Sequence, residues 1–187
     1  MRRVVVAITG ASGSIFGIRA LELFAAIDDI ETHLVLSGPA KTTISVETQW
    51  ALSDVERLAD HVHGARDIAA PISSGSFRTA GMLVAPCSIK SLSAIANSFS
   101  ADLISRAADV TLKERRPLVL MVRETPLHVG HLRLMQQAAE TGAIIFPPVP
   151  AFYNNPRSLD DVVTHSVGRA IEYLGVDVTG LDRWQGG

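Results

Sequence analysis

Short apolar runs alternate along the chain with longer segments in which apolar residues recur at helical spacing. The apolar runs predict strands at 3–9, 32–36, 82–85, 118–122 and 143–146. The longer segments predict helices at 15–27, 39–48, 53–62, 92–96, 102–112, 127–141 and 159–173. This alternation is typical of a parallel sheet covered by helices on both faces. We therefore predict an α/β fold with a three-layer, doubly wound, mainly parallel sheet of about five or six strands, Rossmann- or flavodoxin-like.

Two segments between these elements predict loops. Residues 69–80 are rich in small and turn-forming residues, and residues 147–157 carry four prolines around Phe152 and Tyr153. Neither has the composition of a linker and no internal repeat is present, so we predict a single domain over residues 1–187. Ligands of doubly wound sheets bind beyond the carboxyl ends of the strands, so functional side chains are expected directly after strands.

Composition narrows the class of protein. The formal net charge of −2 provides no positive field for nucleic acid or anionic lipid. The first apolar run stops at Thr9-Gly10, too early for a signal peptide or a membrane span. Cys87 is the single cysteine, which argues against a disulfide framework and indicates a cytoplasmic protein. A hydrophobic content of 47% also indicates apolar surface buried between subunits, hence a homo-oligomer.

The segment after the first predicted strand carries a strong chemical signal. It runs from Thr9 to Gly17 as T-G-A-S-G-S-I-F-G, with glycines at G-x-x-G-x-x-x-G spacing. Glycines allow a tight turn, and free amides at the following helix start favour an anion. The spacing is not the dinucleotide G-x-G-x-x-G, and Leu36-Ser37 ends the second strand where a ribose-binding carboxylate would be expected. The loop therefore favours a mononucleotide such as FMN over NAD; a glycine turn without a ligand is the alternative.

Three further strand ends offer polar groups to the same edge of the predicted sheet. Ser37-Gly38 follows the second strand, the segment 86–91 (P-C-S-I-K-S) follows the central strand, and Arg123-Glu124 follows the strand at 118–122. For any one of them simple helix capping is the alternative, since serine is a favoured N-cap residue. Four such strand ends at one crevice favour a ligand site.

Five motifs in order give the chain a specific resemblance. They are T-G-A-S-G, P-C-S-I-K-S-L-S-A-I-A, R-A-A-D-V-T-L-K-E-R-R-P-L-V-L, R-E-T-P-L and P-A-F-Y-N-N-P. In this order they resemble the UbiX-type flavin prenyltransferases, including the branch associated with aromatic-acid decarboxylases, and the similarity runs to Arg183-Trp184. The resemblance implies that FMN is bound by the following residues: Gly10, Ala11, Ser12, Ser37, Ser88, Ile89, Lys90, Ser91 and Arg123.

The resemblance also implies a second ligand, dimethylallyl monophosphate. Its phosphate would be held by four residues: Tyr153, Arg169, Lys113 and Arg106. The last two are candidates for donation by a neighbouring subunit. The catalytic set would be Glu124, Ser12, Glu47 and Trp184. Among these, Glu124 would handle protons near the flavin, while Glu47 and Trp184 would line the prenyl pocket.

The reaction implied by the resemblance joins the dimethylallyl group to N5 and C6 of reduced FMN and releases phosphate. The prenylated FMN would serve a UbiD-type decarboxylase, no metal is needed, and a dodecamer is expected. Charge-assisted hydrogen bonds contribute about 1.5–3 kcal/mol each, against about 0.8 kcal/mol for each buried prenyl carbon. The phosphate should therefore anchor the substrate, and the aromatic faces of Trp184 and Tyr153 suit an incipient allyl cation.

Several of these residue types have ordinary structural roles. At its position on the predicted helix 159–173, Arg169 could simply be a solvated surface charge. Lys113 lies at the end of a predicted helix, where an exposed positive charge stabilises the helix dipole. Cys87 is expected to be a small buried residue rather than a nucleophile. His128 and His131 have i, i+3 spacing but no further ligand signature, which favours packing over metal binding.

Two positions depart from the family pattern. Phe16 stands where many relatives have tyrosine, which removes a hydroxyl near the phosphate loop. Arg66-Asp67 occupies a region where many relatives carry Asn-Asp. In that alignment Arg66 replaces the asparagine, and its side-chain amide is missing from the pocket.

Four other functions compete with this one. A cysteine-decarboxylase-type flavoprotein would need a histidine upstream of the central strand, and none stands between His63 and His128. A short-chain reductase would need Tyr-x-x-x-Lys, but Arg157 follows Tyr153 at that spacing. A direct aromatic-acid decarboxylase fits poorly with a site organised around phosphate. A non-catalytic flavin-binding subunit of a decarboxylase complex stays open, as do the decarboxylase served and the choice between monophosphate and diphosphate.

Overall fold

The computed structural model describes residues 1–181 and forms from them a sheet of six parallel strands. The strands are β1 (Arg2–Ile8), β2 (Ile30–Leu36), β3 (His61–Gly64), β4 (Gly81–Cys87), β5 (Leu118–Val122) and β6 (Ile144–Ile145). Their order across the sheet is β3-β2-β1-β4-β5-β6. This confirms the predicted α/β class and doubly wound sheet; the described strands are all parallel.

Helices connect the strands and cover both faces of the sheet. They are α1 (Ser14–Ala25), α2 (Gly38–Glu47), α3 (Leu52–Arg57), α4 (Ile89–Ala96), α5 (Leu103–Lys113), α6 (Val129–Glu140) and α7 (Leu159–Glu172), with a 3-10 turn at Pro71–Ser73. Asp102 and Ser158 begin α5 and α7 with capping boxes, in which the N-cap side chain and the third helical residue satisfy each other's backbone amides. None of the helices within residues 1–181 is long and apolar enough to cross a membrane.

A hydrophobic core lies on each face of the sheet, because successive side chains of a strand point to opposite faces. Along β1, Val4 and Val6 belong to one core, while Val5 and Ala7 belong to the other. The first core is completed by α1 and α7, and the second by α4 and α5. Consequently, residues of α5 and α7 are separated by the sheet itself.

The predicted helix 53–62 is wrong in its second half. The helix ends at Arg57, and the residues His61–Gly64 form the edge strand β3, paired with β2 from His33↔His61 to Leu36↔Gly64. The segment H-V-H-G has no apolar run and is largely exposed, so hydrophobic periodicity could not reveal it. Pairing with β2 determines its conformation.

Two boundaries near the middle of the chain also differ from the prediction. The strand β4 continues through Pro86 to Cys87, with an irregular register against β5 between Val84 and Cys87. The helix α4 begins at Ile89 rather than at 92. Both differences bring the polar segment 88–91 directly onto the carboxyl end of β4. The single domain over residues 1–187 stays a prediction.

Candidate functional site

The strand order reverses between β1 and β4, and the loops after these strands meet there. The buried hydroxyl of Thr9 joins them: Oγ1 donates to the carbonyl of Pro86 at 2.7 Å and accepts from the amide of Ser88 at 2.8 Å. The loop after β2 is attached to the same place, because the Ser37 amide donates to the Ile8 carbonyl at 3.1 Å. The sequence shows Thr9 only as the first residue of the T-G-A-S-G motif. Its bridging role depends on the strand order, which the sequence does not show.

The glycines of the loop after β1 have physical reasons to be glycine. Gly13 adopts φ 99°, a left-handed conformation that favours glycine, at the N-cap of α1. A side chain on Gly10 would place its Cβ 2.3 Å from Cβ of Pro39. Ser12 between them is exposed. The loop thus presents a tight backbone turn and an accessible hydroxyl at the start of a helix.

Glu47 lies in contact with this loop. Its Oε2 accepts a 2.8 Å hydrogen bond from the amide of Gly13, and the neighbouring hydroxyls of Ser14 and Thr43 are 2.7 Å apart. These contacts fasten the start of α1 to α2. The structure therefore places Glu47 beside the glycine loop; its role in the prenyl pocket stays a prediction.

The serines after β2 and β4 cap helices. Ser37 Oγ accepts from the amide of Ala40 at 3.1 Å, and Ser88 Oγ accepts from the amide of Ser91 at 3.3 Å. The capping alternative is therefore correct for both as a local role. The Ser88 hydroxyl also donates to Ser91 Oγ at 3.2 Å. The first amides of a helix have no partner within the helix, so those of α4 can donate to a ligand at this edge. Lys90, in that first turn, is exposed.

Arg123 and Glu124 follow β5 at the same edge. The Arg123 amide donates to the carbonyl of Cys87 at 3.1 Å, which ties this loop to the end of β4. Glu124 is exposed, and its Oε1 accepts from the amide of Thr125 at 3.0 Å. The four strand ends singled out in the sequence thus share one edge of the sheet.

Tyr153 and Arg169 line a cavity of about 180 Å³ next to β6 and α7. Its remaining walls are Phe146, Pro147, Val149, Ala151, His165 and Ser166. The Tyr153 ring meets the His165 ring edge-on, with centroids 5.9 Å apart, and Arg169 forms an ion pair with Glu172. His165 and Ser166 were not predicted, although His165 precedes Arg169 by four residues and so shares its helix face.

Lys113 and Arg106 do not reach that cavity within one chain. Both belong to α5, which packs on the opposite face of the sheet from α7. Lys113 Nζ binds Glu114 Oε1 at 2.6 Å, and Arg106 donates from Nε to the Ser73 carbonyl at 3.2 Å and pairs with Asp109 at 3.1 Å. Within one chain, Lys113 and Arg106 are therefore separated from Tyr153 and Arg169 by the sheet. Trp184 lies outside the described residues.

Three other sequence expectations concern residues near this edge. Burial raises the pKa of Cys87 to about 12, so its thiol is a packed core group and not a nucleophile. Phe16 lies against the glycine loop, where it would meet a Cβ on Gly13 at 2.8 Å. Arg66 lines a separate cavity of about 510 Å³ at the ends of β2 and β3, with Lys41 and His63.

The His128 and His131 rings lie against each other, with centroids 3.6 Å apart and the planes tilted by 32°. His128 Nδ1 accepts the Gly130 amide at 3.0 Å, which makes His128 the N-cap of α6. This is the packing role that the sequence favoured.

The residues at the carboxyl edge fit a mononucleotide phosphate. The first turns of α1, α2 and α4 carry no acidic side chain, so their amide ends attract an anion. Hydroxyls of Ser12 and Ser37 provide further donors, and Arg123 adds a guanidinium. The edge at which they meet is the switch point where flavodoxin-like folds bind FMN.

Comparisons with known proteins agree with this class. Residues 1–162 match the family model described as Flavoprotein. The chain is also 58% identical over 188 residues to the flavin prenyltransferase UbiX of Escherichia coli K12, covering 100% of both chains. The chain therefore belongs to the UbiX flavin prenyltransferase family within the flavoproteins, which confirms the resemblance seen in the motifs.

Solved structures share the fold at high identity. The dodecameric FMN-dependent UbiX-like decarboxylase of E. coli O157:H7 superposes with a TM-score of 0.96 at 47% identity, covering 98% of this chain and 100% of that one. AnUbiX (PadA1) in complex with FMN and dimethylallyl pyrophosphate superposes with a TM-score of 0.96 at 52% identity, covering 100% and 98%. The FMN-dependent cysteine decarboxylase TvaF, at 11% identity and a TM-score of 0.65, shares the fold alone.

Proposed function

We propose that this protein transfers the dimethylallyl group of dimethylallyl monophosphate to reduced FMN, giving FMN prenylated at N5 and C6. The observation that carries the proposal is the similarity to AnUbiX, which is 52% identical over the whole of this chain. The AnUbiX structure is a complex with FMN and dimethylallyl pyrophosphate. The carboxyl edge described above supplies donors of the kind that both ligands require. Identity far below 25% to the cysteine decarboxylase TvaF gives no comparable support for the decarboxylase alternative.

FMN is assigned to the loops after β1, β2, β4 and β5. The proposed binding residues are Gly10, Ala11, Ser12, Ser37, Ser88, Ile89, Lys90, Ser91 and Arg123. Reduced FMN, when bound, supplies a nucleophilic nitrogen at N5 and a second carbon nucleophile at C6. The chain's contribution is to hold its phosphate and ring so that this edge faces the prenyl donor. The bridge through Thr9 supports this role, because it fixes two of the four loops relative to each other.

The prenyl phosphate is assigned to Tyr153 and Arg169. A guanidinium and a phenol can both donate to a departing phosphate, and the guanidinium remains charged at every relevant pH. Breaking the allylic C–O bond leaves its electron pair on the phosphate oxygen, so fixed positive donors lower the barrier. His165 and Ser166 share this cavity and add donors that the sequence did not point to.

Lys113 and Arg106 are assigned to the phosphate site of a neighbouring subunit. Their position across the sheet from Tyr153 and Arg169 supports this, since one chain cannot assemble the four. Apolar residues such as Val129 and Leu132 on α6 are more than half exposed, as expected for a surface that is covered by another subunit. We therefore propose a homo-dodecamer, the state of the E. coli O157:H7 relative.

Proton handling is assigned to Glu124, which is exposed at the end of β5 beside Arg123. Glu47, beside the glycine loop, and Trp184 are assigned to the prenyl pocket, with Ser12 on the flavin side. Their carboxylate and aromatic groups suit a substrate carbon that becomes cationic as phosphate leaves. The product would serve a UbiD-type decarboxylase as cofactor, and we propose that the protein works in the cytoplasm.

The decisive experiment is anaerobic. The purified chain is mixed with reduced FMN and dimethylallyl monophosphate, and the flavin is then extracted and weighed by mass spectrometry. We expect a gain of one five-carbon prenyl unit together with released phosphate, and a parallel reaction with the diphosphate shows which donor is preferred. An unchanged flavin mass with both donors, in protein that binds FMN, would support a non-catalytic flavin-binding subunit instead.

A further inference from the structure

Three histidines and a glutamate lie together on β2 and β3, away from the site described above. Glu31 and His33 alternate along β2, and His61 and His63 alternate along β3. His33 and His61 are register partners, so all four side chains emerge from the same face of the sheet. We call these four residues the histidine cluster. The sequence could not reveal it, because β3 was predicted as helix.

The potential ligand atoms of the cluster converge. Glu31 Oε1 lies 3.0 Å from His33 Nε2 and 3.5 Å from His61 Nε2, and these three atoms all lie within 4.8 Å of one another. Imidazole nitrogens and a carboxylate oxygen bind zinc at about 2.0–2.2 Å, so a small contraction would bring all three to one ion. We propose that Glu31, His33 and His61 form a binding site for a divalent transition-metal ion such as Zn²⁺.

His63 has the position of a residue that orients a ligand. Its Nε2 lies 2.9 Å from His33 Nδ1, on the side of the ring away from Glu31. A metal-binding histidine commonly donates its second ring N–H to a neighbouring acceptor, which fixes the tautomer and the ring orientation. With His33 Nδ1–H donating to His63, the lone pair of His33 Nε2 faces Glu31 and His61. His63 is thus a positioning residue and not a ligand.

The cluster is more open to solvent at His61 than at His33. The His33 side chain is 4% exposed, against 54% for His61 on the edge strand, so an ion would enter past His61. The two rings are stacked with centroids 4.7 Å apart, so His61 must rotate to share an ion with His33. Its exposure leaves room for that rotation.

Charges around the cluster act in both directions. Arg3 Nε is 3.1 Å from Glu31 Oε1 and its guanidinium lies over the Phe77 ring, so it competes with a metal for the carboxylate. The carboxylates of Asp60 and Asp67 act on His61 and His63 and favour a cation. The affinity of the site for a metal ion should therefore rise when the charge of Arg3 is removed. If the four residues only formed hydrogen bonds with one another, removing that charge would not increase metal binding.

The test uses the full-length chain, stripped with a chelator and titrated with Zn²⁺ by calorimetry and with Co²⁺ by visible absorption. A His128→Ala/His131→Ala double variant removes the histidine pair at the start of α6, the most obvious competing site. We expect one ion per chain in this variant. Affinity should be lost in His61→Ala, fall roughly ten- to hundredfold in His63→Ala, and rise in Arg3→Gln.

His61 is exposed, so His61→Ala is the informative variant even if His33→Ala fails to fold. FMN binding measured on the same samples reports that the chain remains folded and should not change. Zinc binding that persists in His61→Ala, or that disappears with the His128/His131 pair, would overturn the proposal. So would the absence of binding at the concentrations at which Co²⁺ absorption is measured.

Discussion

The backbone amide of Gly13 donates a 2.8 Å hydrogen bond to Oε2 of Glu47, which joins the glycine loop to the last residue of α2. The carboxylate thus holds the loop and at the same time places a negative charge at the edge proposed for the prenyl donor. Structural and chemical roles of this side chain can be separated, because a glutamine retains the accepting oxygen and loses the charge.

We expect Glu47→Ala to lower the free energy of unfolding by about 0.5–1.5 kcal/mol, since the Gly13 amide loses its acceptor. Glu47→Gln should recover most of that loss. Both variants should slow prenyl transfer, because the charge facing the incipient cation is gone. Urea denaturation and single-turnover kinetics measure the two effects. A glutamine variant that turns over at the wild-type rate would limit Glu47 to holding the loop.

Ser12→Asp should abolish FMN binding. The exposed Ser12 side chain lies in the loop assigned to the flavin phosphate, and a carboxylate there repels the phosphate. Ser12→Ala is the matched control, because it removes the hydroxyl without adding charge and should weaken binding only mildly. Fluorescence titration with FMN measures both. Tight NADPH binding by the wild-type chain without FMN affinity would contradict the mononucleotide assignment.

Arg169→Ala should weaken binding of dimethylallyl monophosphate by about 1.5–3 kcal/mol, roughly ten- to hundredfold, while FMN affinity is nearly unchanged. Tyr153→Phe should have a smaller effect, because a neutral donor contributes only about 0.5–1.5 kcal/mol. Arg57→Ala, an exposed arginine on α3, serves as the control. Separate titrations with FMN and with the prenyl phosphate distinguish the sites, and an Arg169→Ala variant that loses FMN first would show that the division is wrong.

Two variants with impaired binding of the prenyl phosphate should restore each other when mixed in one oligomer. Lys113→Ala and Arg169→Ala alter opposite faces of the sheet, so a site built from two subunits regains both residues when the subunits alternate. If equal amounts of the two variant subunits mix at random, about a quarter of the sites should contain both Lys113 and Arg169.

Activity of the co-expressed variants, compared with each variant alone, measures this recovery. Co-expression of Tyr153→Phe with Arg169→Ala is the control and should show much less recovery, because both residues line the same cavity in one chain. Equal behaviour of the two combinations would place Lys113 outside the phosphate site.

The free energy of unfolding should fall at alkaline pH because of Cys87. Burial raises its pKa to about 12, whereas the unfolded thiol ionises near 9.0. The native state therefore retains a proton that the unfolded state loses in this range. The stabilisation is complete below pH 9 and declines as pH rises toward 12.

Free energies of unfolding measured from pH 8 upward should fall more steeply for the wild type than for Cys87→Ala, which shares every other titrating group. Parallel curves would contradict the assignment. The native thiol should also resist alkylation at pH 8, because it is fully buried and protonated.

The sheet could be predicted where burial determines it. The strands β4 and β5 are buried throughout, and β1 and β2 end in buried apolar residues, so their carboxyl ends follow from the parallel fold. The edge strand β3 could not, because a short exposed strand is determined by its partner rather than by its own side chains. The histidine cluster was missed for the same reason.

The phosphate site was predicted only in part. Residue types and motifs identify Arg169 and Lys113, but sequence order does not say on which face of the sheet each helix packs. That information comes from the two cores, which assign α5 and α7 to opposite sides.

The Thr9 hydroxyl has a consequence for affinity. Because one buried oxygen binds the Pro86 carbonyl and the Ser88 amide together, the loops after β1 and β4 are ordered relative to each other before any ligand arrives. A ligand that touches both loops then loses little conformational entropy of the protein on binding, and more of its contact energy appears as affinity.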